Sequence, residues 1–440
     1  MGNSSSCDAH MNQHDKLISD FKATKWASNP FERVADIIHG TPGQLPSLVR
    51  AIVEQLPTSG TFLDAALSFL PLKDWQEIVD LSIGILKSSK TNESAESVVA
   101  YASLQCPETL HGWLDQLLFI RPNEGTYYEA WPWRKSGTIH MNRLLQTINE
   151  SRDKDMWIEA WQRGLETRDG ITVKAMVESM ASAGYGSHQA KSGTSGRFDI
   201  NDYLRVVGIE ELDGKLRRLA SSAGFHFVFP AGYVEEDRPW LKPIRHPTWG
   251  LTSESDAIEI RFGGMGKGQC VHCEGRTHNL FSSSVLPRVD GVFDDGPLHL
   301  ETCLSCLGWE VEAIFSEHDA AGFPKMLNTA GKKGRPEFPA GPLLECSARL
   351  VLTPARWQHQ DWALSNSREN LNRFGGEPCW IQNADYPACP TCQNTMPFLA
   401  QLDSDLPTSD GHEWLWGSGG ICYVFWCSSC RASAQLWQCT

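Results

Sequence analysis

The sequence contains no run of eighteen apolar residues, so we expect no segment that spans a lipid bilayer. It shows no apolar signal stretch near its beginning, which argues against a secreted, disulfide-bonded protein despite its 14 cysteines. Basic residues are in the minority, with 39 Lys and Arg against 53 Asp and Glu and a net charge of -14. This balance disfavours a nucleic-acid ligand and a cationic membrane anchor. We therefore expect a cytoplasmic protein without nucleic-acid or membrane partners.

Cysteines near the end of the chain are spaced as metal ligands. Cys389-Pro-Thr-Cys392 and Cys427-Ser-Ser-Cys430 are Cys-x-x-Cys knuckles separated by 34 residues. A two-residue spacer lets one tight turn present two sulfurs to one ion, and zinc takes four thiolates tetrahedrally. The aromatic and β-branched run at residues 421–426 predicts a strand that leads into the second knuckle. These four cysteines predict a zinc site.

A second set of knuckles lies upstream. Cys270-Val-His-Cys273 and Cys303-Leu-Ser-Cys306 are separated by 29 residues. The loops in both sets exceed the usual zinc-ribbon spacing of roughly 15–20 residues, so we expect each ion to hold the base of a hairpin-like excursion. A catalytic zinc keeps one coordination position open, whereas four thiolates fill all four. Two structural zinc ions are predicted.

The surroundings of the two sets are also repeated. Arg-Phe-Gly-Gly precedes each set, at residues 261–264 and 373–376. Gly296 and Gly420 each stand seven residues before the third cysteine of their set. A shared order of motif, knuckle, loop, glycine, strand and knuckle predicts an internally duplicated β unit with one zinc in each half.

The first part of the chain has helical periodicity, from about Phe31 to Ala183. Apolar residues recur at three- and four-residue spacing, as at residues 48–53, and prolines such as Pro57 and Pro71 separate the segments. Short amphipathic helices between proline turns predict an all-α bundle or a HEAT-like helical stack.

We therefore expect an α+β multidomain protein with four parts. Residues 1–30 form a flexible N-terminal segment and residues 31–183 the helical domain. Residues 184–223 contain a Gly/Ser-rich linker and a short helical bridge, expected at residues 200–219. Residues 224–440 form the duplicated β domain.

Two further motifs are weak. Met1-Gly-Asn-Ser-Ser-Ser-Cys7 fits the loose N-myristoylation pattern, but a polar N-terminus fits it as well, and the nearby lysines form no dense cluster. Residues 263–268 are glycine-rich like a phosphate loop, but they lack its first glycine and the magnesium-binding Ser or Thr. We interpret them as a glycine-rich approach to the first knuckle.

Histidines near the upstream set are weak candidates for chemistry. His226, His246, His272 and His278 are scattered, and such histidines are more often hydrogen-bonded structural residues than catalytic bases. His272 lies inside a knuckle and could replace a thiolate, although four cysteines are already present.

Several segments of the second half share their order and sequence with a known family, at residues 225–230, 246–249, 373–376, 380–382, 398–405, 416–420 and 423–425. Together they resemble the YwqG-like domain of unknown function, a family of largely bacterial, cytosolic β proteins. The resemblance covers about residues 224–440, although the simplest members of that family lack the knuckle cysteines, so the chain resembles a zinc-bearing branch.

The resemblance implies a non-enzymatic immunity protein, since such domains occur among the immunity proteins of polymorphic toxin systems. Its partner would be a cognate toxin, such as an ADP-ribosyltransferase or nuclease that acts on NAD or nucleic acid, with the active site occluded. An acidic inhibitor suits the electropositive cleft of such a toxin. Residues 375–440 contain six carboxylates and one arginine, a net of -5, besides four tryptophans that could anchor an interface. The acids are Glu377, Asp385, Asp403, Asp405, Asp410 and Glu413, and the candidate anchor tryptophans are Trp414, Trp416, Trp426 and Trp437.

Two other classes remain open. A zinc-ribbon nucleic-acid-binding or regulatory protein would use the same knuckles, although basic residues are scarce around Cys389. An enzyme could use Asp403 and Asp405 as acid and base or as cation ligands, although a strand that ends in an Asx turn needs the same residues. No third partner completes such a site in the sequence.

Overall fold

The computed structural model describes residues 14, 16–20, 22, 28–58, 61–88, 92–118, 120, 131–151, 154–182, 200–234, 247–250, 257–329, 331, 333–362 and 369–440. The chain divides into two units, residues 1–199 with 237–246 and residues 200–236 with 247–440. The heptapeptide Met1–Cys7, the predicted linker at 184–196 and His246 lie outside the described residues.

The described part of the first unit is helical. The face predicted at residues 48–53 is buried, since Leu48, Val49, Ile52 and Val53 are each 0% exposed. The α-helices are α1 Ser28–Gly40, α2 Leu45–Gln55, α3 Thr61–Ser68, α4 Trp75–Ser88, α5 Glu93–Gln105, α6 Leu114–Leu117, α7 Met141–Glu150, α8 Lys154–Glu166 and α9 Gly170–Ser182.

Helix α5 is the central element of this unit. Residues 94–104 are buried on every face, and α2, α3 and α4 pack against the helix. The side chain of Asn92 caps it by accepting a hydrogen bond of 2.8 Å from the Ala95 backbone N–H. A helix buried on all sides has small residues where its neighbours approach, here Ala95, Ala100 and Ala102.

The N-terminal segment differs in part from the flexible stretch predicted at residues 1–30. Residues 16–20 are helical, and Leu17 and Ile18 are buried, because this apolar pair finds a core to pack against. Helix α1 begins at Ser28. Across the described ranges, no helix is both long enough and apolar enough to cross a membrane.

The predicted helical bridge at residues 200–219 is wrong in its second half. Helix α10 Ile200–Val206 is followed by a hairpin of β1 Ile209–Leu212 and β2 Lys215–Arg218. Leu212 pairs with Lys215 across the two-residue turn Asp213-Gly214, whose φ angles are 52° and 73°. Asp-Gly with both φ positive is the preferred tight turn of a hairpin, which explains why the chain forms two paired strands here and not a continuous helix.

The second unit is built on a 12-stranded sheet in which all pairings are antiparallel. Its strands are β3 Gly224–Val228, β4 Ile258–Phe262, β5 Met265–Gln269, β6 Arg276–Leu286, β7 Gly296–Thr302, β8 Ile314–His318, β9 Pro324–Met326, β10 Cys346–Leu352, β11 Arg373–Gly375, β12 Phe398–Asp403, β15 Ile421–Cys427 and β16 Ala432–Gln438. A separate short hairpin pairs β13 Leu406–Pro407 with β14 Glu413–Trp414.

Three strands on each side of the central pair β10 and β3 follow the same pairing order. It runs β5-β6-β4-β10-β3-β11-β12-β15-β16-β8-β9, with β7 paired to β6 off this path. Outward from the centre, β4, β6 and β7 on one side match β11, β12 and β15 on the other. β8 breaks the pattern, because it pairs with β16. The end strands β5 and β9 lie beside each other.

The two Arg-Phe-Gly-Gly motifs occupy matching positions at the ends of β4 and β11. Phe262 and Phe374 are both 0% exposed. The glycines that follow each phenylalanine all have positive φ, at 70° and 86° for residues 263 and 264 and at 73° and 79° for residues 375 and 376. Only glycine adopts such angles without strain, which explains why both motifs end in a glycine pair.

The strand β15 crosses the middle of the core. All seven of its residues are buried. Its Tyr423 and Phe425 side chains pack against Trp380 and Tyr386 in the loop between β11 and β12. Cys389 and Cys427 belong to the same hydrophobic core. The C-terminal cysteines therefore lie against a well-packed aromatic layer.

Candidate metal centres

Hairpin turns position the knuckles of the first cysteine group, Cys270, Cys273, Cys303 and Cys306. Cys270 and Cys273 form the turn between β5 and β6, where the Cys270 N–H donates to Gly275 O at 2.8 Å and the Glu274 N–H to Cys270 O at 2.9 Å. Glu274 adopts a φ of 60°, which closes the turn after the second sulfur.

The other knuckle of the first group follows β7. The Cys306 and Leu307 N–H groups donate to Cys303 O at 3.0 and 2.9 Å. Antiparallel pairing of β6 with β7, with His278 opposite Thr302, brings this knuckle beside the first one. The excursion between the knuckles is thus a hairpin with the sulfurs at its base.

The second cysteine group, Cys389, Cys392, Cys427 and Cys430, repeats this construction. The Cys389 N–H donates to Asn394 O and the Gln393 N–H to Cys389 O, each at 2.8 Å. Cys427 and Cys430 form the turn between β15 and β16, where Cys427 pairs with Ala432. The residues after each knuckle, Gln393 and Arg431, have φ angles of 64° and 49°. The backbone thus presents both sulfurs of a knuckle to the same side.

Sulfur separations in both groups suit a tetrahedral ion. The ligand atoms of each group lie within 4.8 Å of one another. The Sγ distances are 3.8 Å for Cys270 to Cys306, 3.7 Å for Cys273 to Cys303 and 3.7 Å for Cys392 to Cys427. Thiolates at about 2.3 Å from a tetrahedral ion lie about 3.8 Å apart, whereas disulfide sulfurs are about 2.05 Å apart. Each group can therefore hold a metal ion.

Local hydrogen bonding lowers the pKa of one thiol in each group. In the first, the neighbouring side chains of Cys303 and Cys306 lower the pKa of Cys270 far below its ordinary value, while their own pKa values are raised. In the second, a hydrogen bond from the Asn394 backbone, with smaller contributions from the neighbouring thiols, lowers the pKa of Cys392 to about 7. A bound dication would deprotonate the remaining thiols and release protons.

The histidines have separate surroundings. His226 is buried and bonds to Thr353 Oγ1 and Gln360 Oε1 at 2.8 and 3.1 Å, while His278 Nδ1 accepts the Leu304 N–H. His272 is buried inside its knuckle, and within the described chain neither of its ring nitrogens has a hydrogen-bond partner. The structure brings four cysteines together without it, so it is not needed as a ligand.

The glycine-rich residues 263–268 are occupied by a carboxylate of the protein itself. The backbone N–H groups of Lys267 and Gly268 donate to the two carboxylate oxygens of buried Glu301 at 2.9 and 3.0 Å. A Cβ at Gly266 would lie 2.6 Å from Glu301 Oε2. These glycines therefore allow Glu301 to approach the backbone of β5, next to the first knuckle.

The alternative catalytic pair, Asp403 and Asp405, lines a cleft of about 370 Å³. Asp403 ends β12, and its carboxylate accepts the Ser404 N–H at 2.9 Å. Asp405 has a φ of 63°, and its N–H donates to Trp414 O. The structure thus places both aspartates on one cleft, in the turn that follows the strand.

The predicted tryptophan anchors divide between core and surface. Trp416 and Trp426 are buried, at 0% and 3% exposure, and serve the core. Trp414 is half-buried and lines a separate cleft, with the exposed acids Asp410 and Glu413. Sequence reasoning missed Trp309, which forms the opposite wall, although its position three residues after Cys306 was visible.

No protein-family model matches the chain, and no solved structure matches it. A curated relative, the "Uncharacterized protein YpfL" of Salmonella typhimurium strain LT2, is 31% identical over 181 residues. The match covers 38% of this chain and 38% of the relative. The chain thus spans well under half the length of this relative, and the similarity assigns no activity.

Proposed function

We propose that each cysteine group binds one structural zinc ion. All four positions are thiolates, so a tetrahedral zinc has no position open for substrate, and reduced Cys-x-x-Cys pairs are typical zinc ligands. Zinc would join the two ends of each hairpin excursion, since binding energy at a structural site contributes to folding energy. A reducing compartment such as the cytoplasm keeps these thiols available.

We infer that the sheet arose by internal duplication. Matching strand order on the two sides of β3 and β10, the paired glycines after Phe262 and Phe374, and the two knuckle sets support this origin. The pairing of β8, from the first repeat, with β16, from the second, would have joined the two repeats into one sheet. For the helical unit, we retain the bundle or HEAT-like stack as the proposal.

We propose that the chain is a non-enzymatic binding protein of immunity type, whose partner is a toxin that acts on NAD or nucleic acid. One observation supports this most directly, namely the one-sided charge of residues 375–440. Asp410 and Glu413 are exposed, whereas Arg431, the one basic residue of this part, donates to Asp319 O at 2.7 Å. Such a surface attracts and covers an electropositive cleft.

Affinity capture from the source cells tests this function. Full-length, metal-loaded protein should retain one stoichiometric protein partner through a high-salt wash, with identification by mass spectrometry. A Cys389→Ser bait, in which the second cysteine group is incomplete, serves as the control and should retain less of the partner. Recovery of nothing, or of nucleic acid that salt removes, would contradict the immunity proposal and favour the zinc-ribbon alternative.

The cleft lined by Asp403 and Asp405 keeps an enzymatic alternative testable. Carboxylates in one cleft can act as acid and base or bind a cation. The double variant Asp403→Asn with Asp405→Asn should leave partner binding and protection from the toxin intact if the protein is not an enzyme. Loss of protection with unchanged partner binding would favour catalysis at this cleft.

A further inference from the structure

A second cleft, which we call the aromatic cleft, has a volume of about 310 Å³ and combines exposed rings with carboxylates. Three separate segments form it, at residues 309, 338–341 and 408–415. Its size is at the lower end of the range for ligand sites. It is lined by Trp309, Phe338, Pro339, Ala340, Gly341, Thr408, Asp410, His412, Glu413, Trp414 and Leu415.

The first cysteine group supports one wall of the aromatic cleft. The Trp309 N–H donates to Cys306 O at 3.2 Å, and the Ala340 N–H donates to Ser305 Oγ at 2.9 Å. The Trp309 ring also packs on Trp437, with centroids 5.5 Å apart. A metal ion bound to Cys303 and Cys306 would therefore fix both Trp309 and the segment that carries Phe338.

The opposite wall is the short hairpin β13–β14. It is attached to the first wall by hydrogen bonds from Ser409 N to Pro342 O at 2.9 Å and from Leu344 N to Pro407 O at 2.7 Å. The Thr408 hydroxyl donates to Asp410 Oδ1. A Cβ at Gly341 would lie 3.5 Å from Asp410 Oδ2, so the second carboxylate oxygen lies beside Gly341. The cleft is thus preformed on both sides.

The chemistry of the lining is one-sided. Trp309 is 42% exposed and Phe338 50% exposed, with ring centroids 4.8 Å apart. Asp410 and Glu413 contribute two carboxylates, while no lysine or arginine is among the lining residues. The cleft therefore offers flat aromatic faces and negative charge.

We propose that the aromatic cleft binds an arginine side chain presented by an extended segment of a partner protein. A guanidinium is planar, stacks on aromatic faces and pairs with carboxylates, so it matches this lining better than a lysine ammonium. The inference rests on the proposed function in one respect, that the partner is a protein.

Fluorescence polarisation with a defined peptide pair tests this proposal. The probes are fluorescein-labelled Gly-Ser-Leu-Arg-Leu-Ser-Gly and the same peptide with citrulline in place of arginine, which keeps the shape and removes the charge. Full-length, metal-loaded protein should bind the arginine peptide at least tenfold more tightly than the citrulline peptide. The double variant Asp410→Asn with Glu413→Gln should lose this preference, as should Phe338→Ala and Trp309→Ala, whereas the exposed control Glu259→Gln should keep it.

Other outcomes would overturn the proposal. Equal affinity for the citrulline peptide would indicate an apolar groove, and unchanged binding in the cleft variants would place the peptide elsewhere. Absence of binding at roughly 1 mM peptide would exclude arginine recognition. Self-association that Phe338→Ala abolishes would make a second copy of the chain the occupant.

Repeating the cell capture with the Asp410→Asn, Glu413→Gln bait separates the two proposals. If the unchanged protein and this double variant retain a partner equally, arginine binding in the cleft is contradicted and the protein-binding function remains intact. Arginine-selective peptide binding without any captured partner would support arginine binding in the cleft and contradict the proposed protein-binding function.

Discussion

Cys389 is 0% exposed and begins the second cysteine group. Cys389→Ser should lower the zinc content from two ions to one per chain, because three thiolates no longer complete the tetrahedral site. Structural zinc contributes of the order of 10 kcal/mol in small peptides, so we expect the melting temperature of the second unit to fall by roughly 10 °C or more. Elemental analysis and differential scanning calorimetry measure both effects.

Cys439→Ser provides the matched control for this substitution. Cys439 is partly exposed and belongs to neither cysteine group. It should keep both ions and the original melting temperature. Equal metal content and melting in Cys389→Ser and Cys439→Ser would rule out the second site.

His226 should make stability depend on pH. Burial, and secondarily the nearby Arg373 charge, lowers the pKa of His226 from 6.5 to about 3. The unfolded chain therefore binds a proton more readily, so stability is lost as pH falls from 6.5 toward 3, by about 2 kcal/mol at pH 5. His226→Gln should remove this component, which urea unfolding between pH 7.5 and pH 5 detects.

The decisive comparison is the pH dependence of the free energy of unfolding in the unchanged protein and in His226→Gln, because protonation of the thiolates affects both proteins alike. His226→Gln should lower stability at pH 7.5 yet show a flatter decline toward pH 5. Parallel declines in the two proteins would show that His226 does not titrate as its surroundings require.

Among the elements, the hairpin β15–β16 depends on Gly420. A Cβ there would lie 1.8 Å from Gln438 O, a contact that forces the beginning of β15 away from the end of β16. Gly420→Ala should therefore destabilise the second unit by about 3 kcal/mol. At Gly341, a Cβ meets its nearest atom at an ordinary 3.5 Å, so Gly341→Ala is the control. Equal urea midpoints for the two variants would show that the end of β16 moves aside without loss of stability.

Local patterns explain which elements the sequence could predict. The knuckles were predictable because each pair of sulfurs and its turn lie within a few residues, and the geometry confirms that each set converges. The hairpin with Asp213-Gly214 was missed, although that dipeptide is its own signal. The aromatic cleft could not be predicted, because Trp309, Phe338 and Trp414 meet only through strand pairings between distant segments. The partner of β8 depends on the same non-local contacts.

For the whole molecule, removal of metal should affect the two units differently. Both cysteine groups lie in the second unit, whereas the described helices α1–α9 lie in the first. Chelation by EDTA should release two zinc ions per chain and abolish the thermal transition of the second unit, since structural zinc stabilises the fold directly. The helical circular dichroism signal at 222 nm should largely persist.

Simultaneous loss of the helical signal would contradict independent stability of the units. Retention of both transitions after complete metal removal would instead show that the hydrophobic core of the sheet suffices. Re-addition of zinc should restore the lost transition, which separates metal removal from irreversible aggregation.

The pairing of β8 with the distant strand β16 makes the nascent chain prone to aggregation during synthesis on the ribosome. Ser316 of β8 pairs with Ser433 of β16, and translation of the residues between them takes on the order of 10 s. Throughout this interval one edge of β8 lacks its partner, and an unpaired edge is a template for association with other chains. Nascent chains should therefore depend on chaperones most strongly while residues 319–432 emerge.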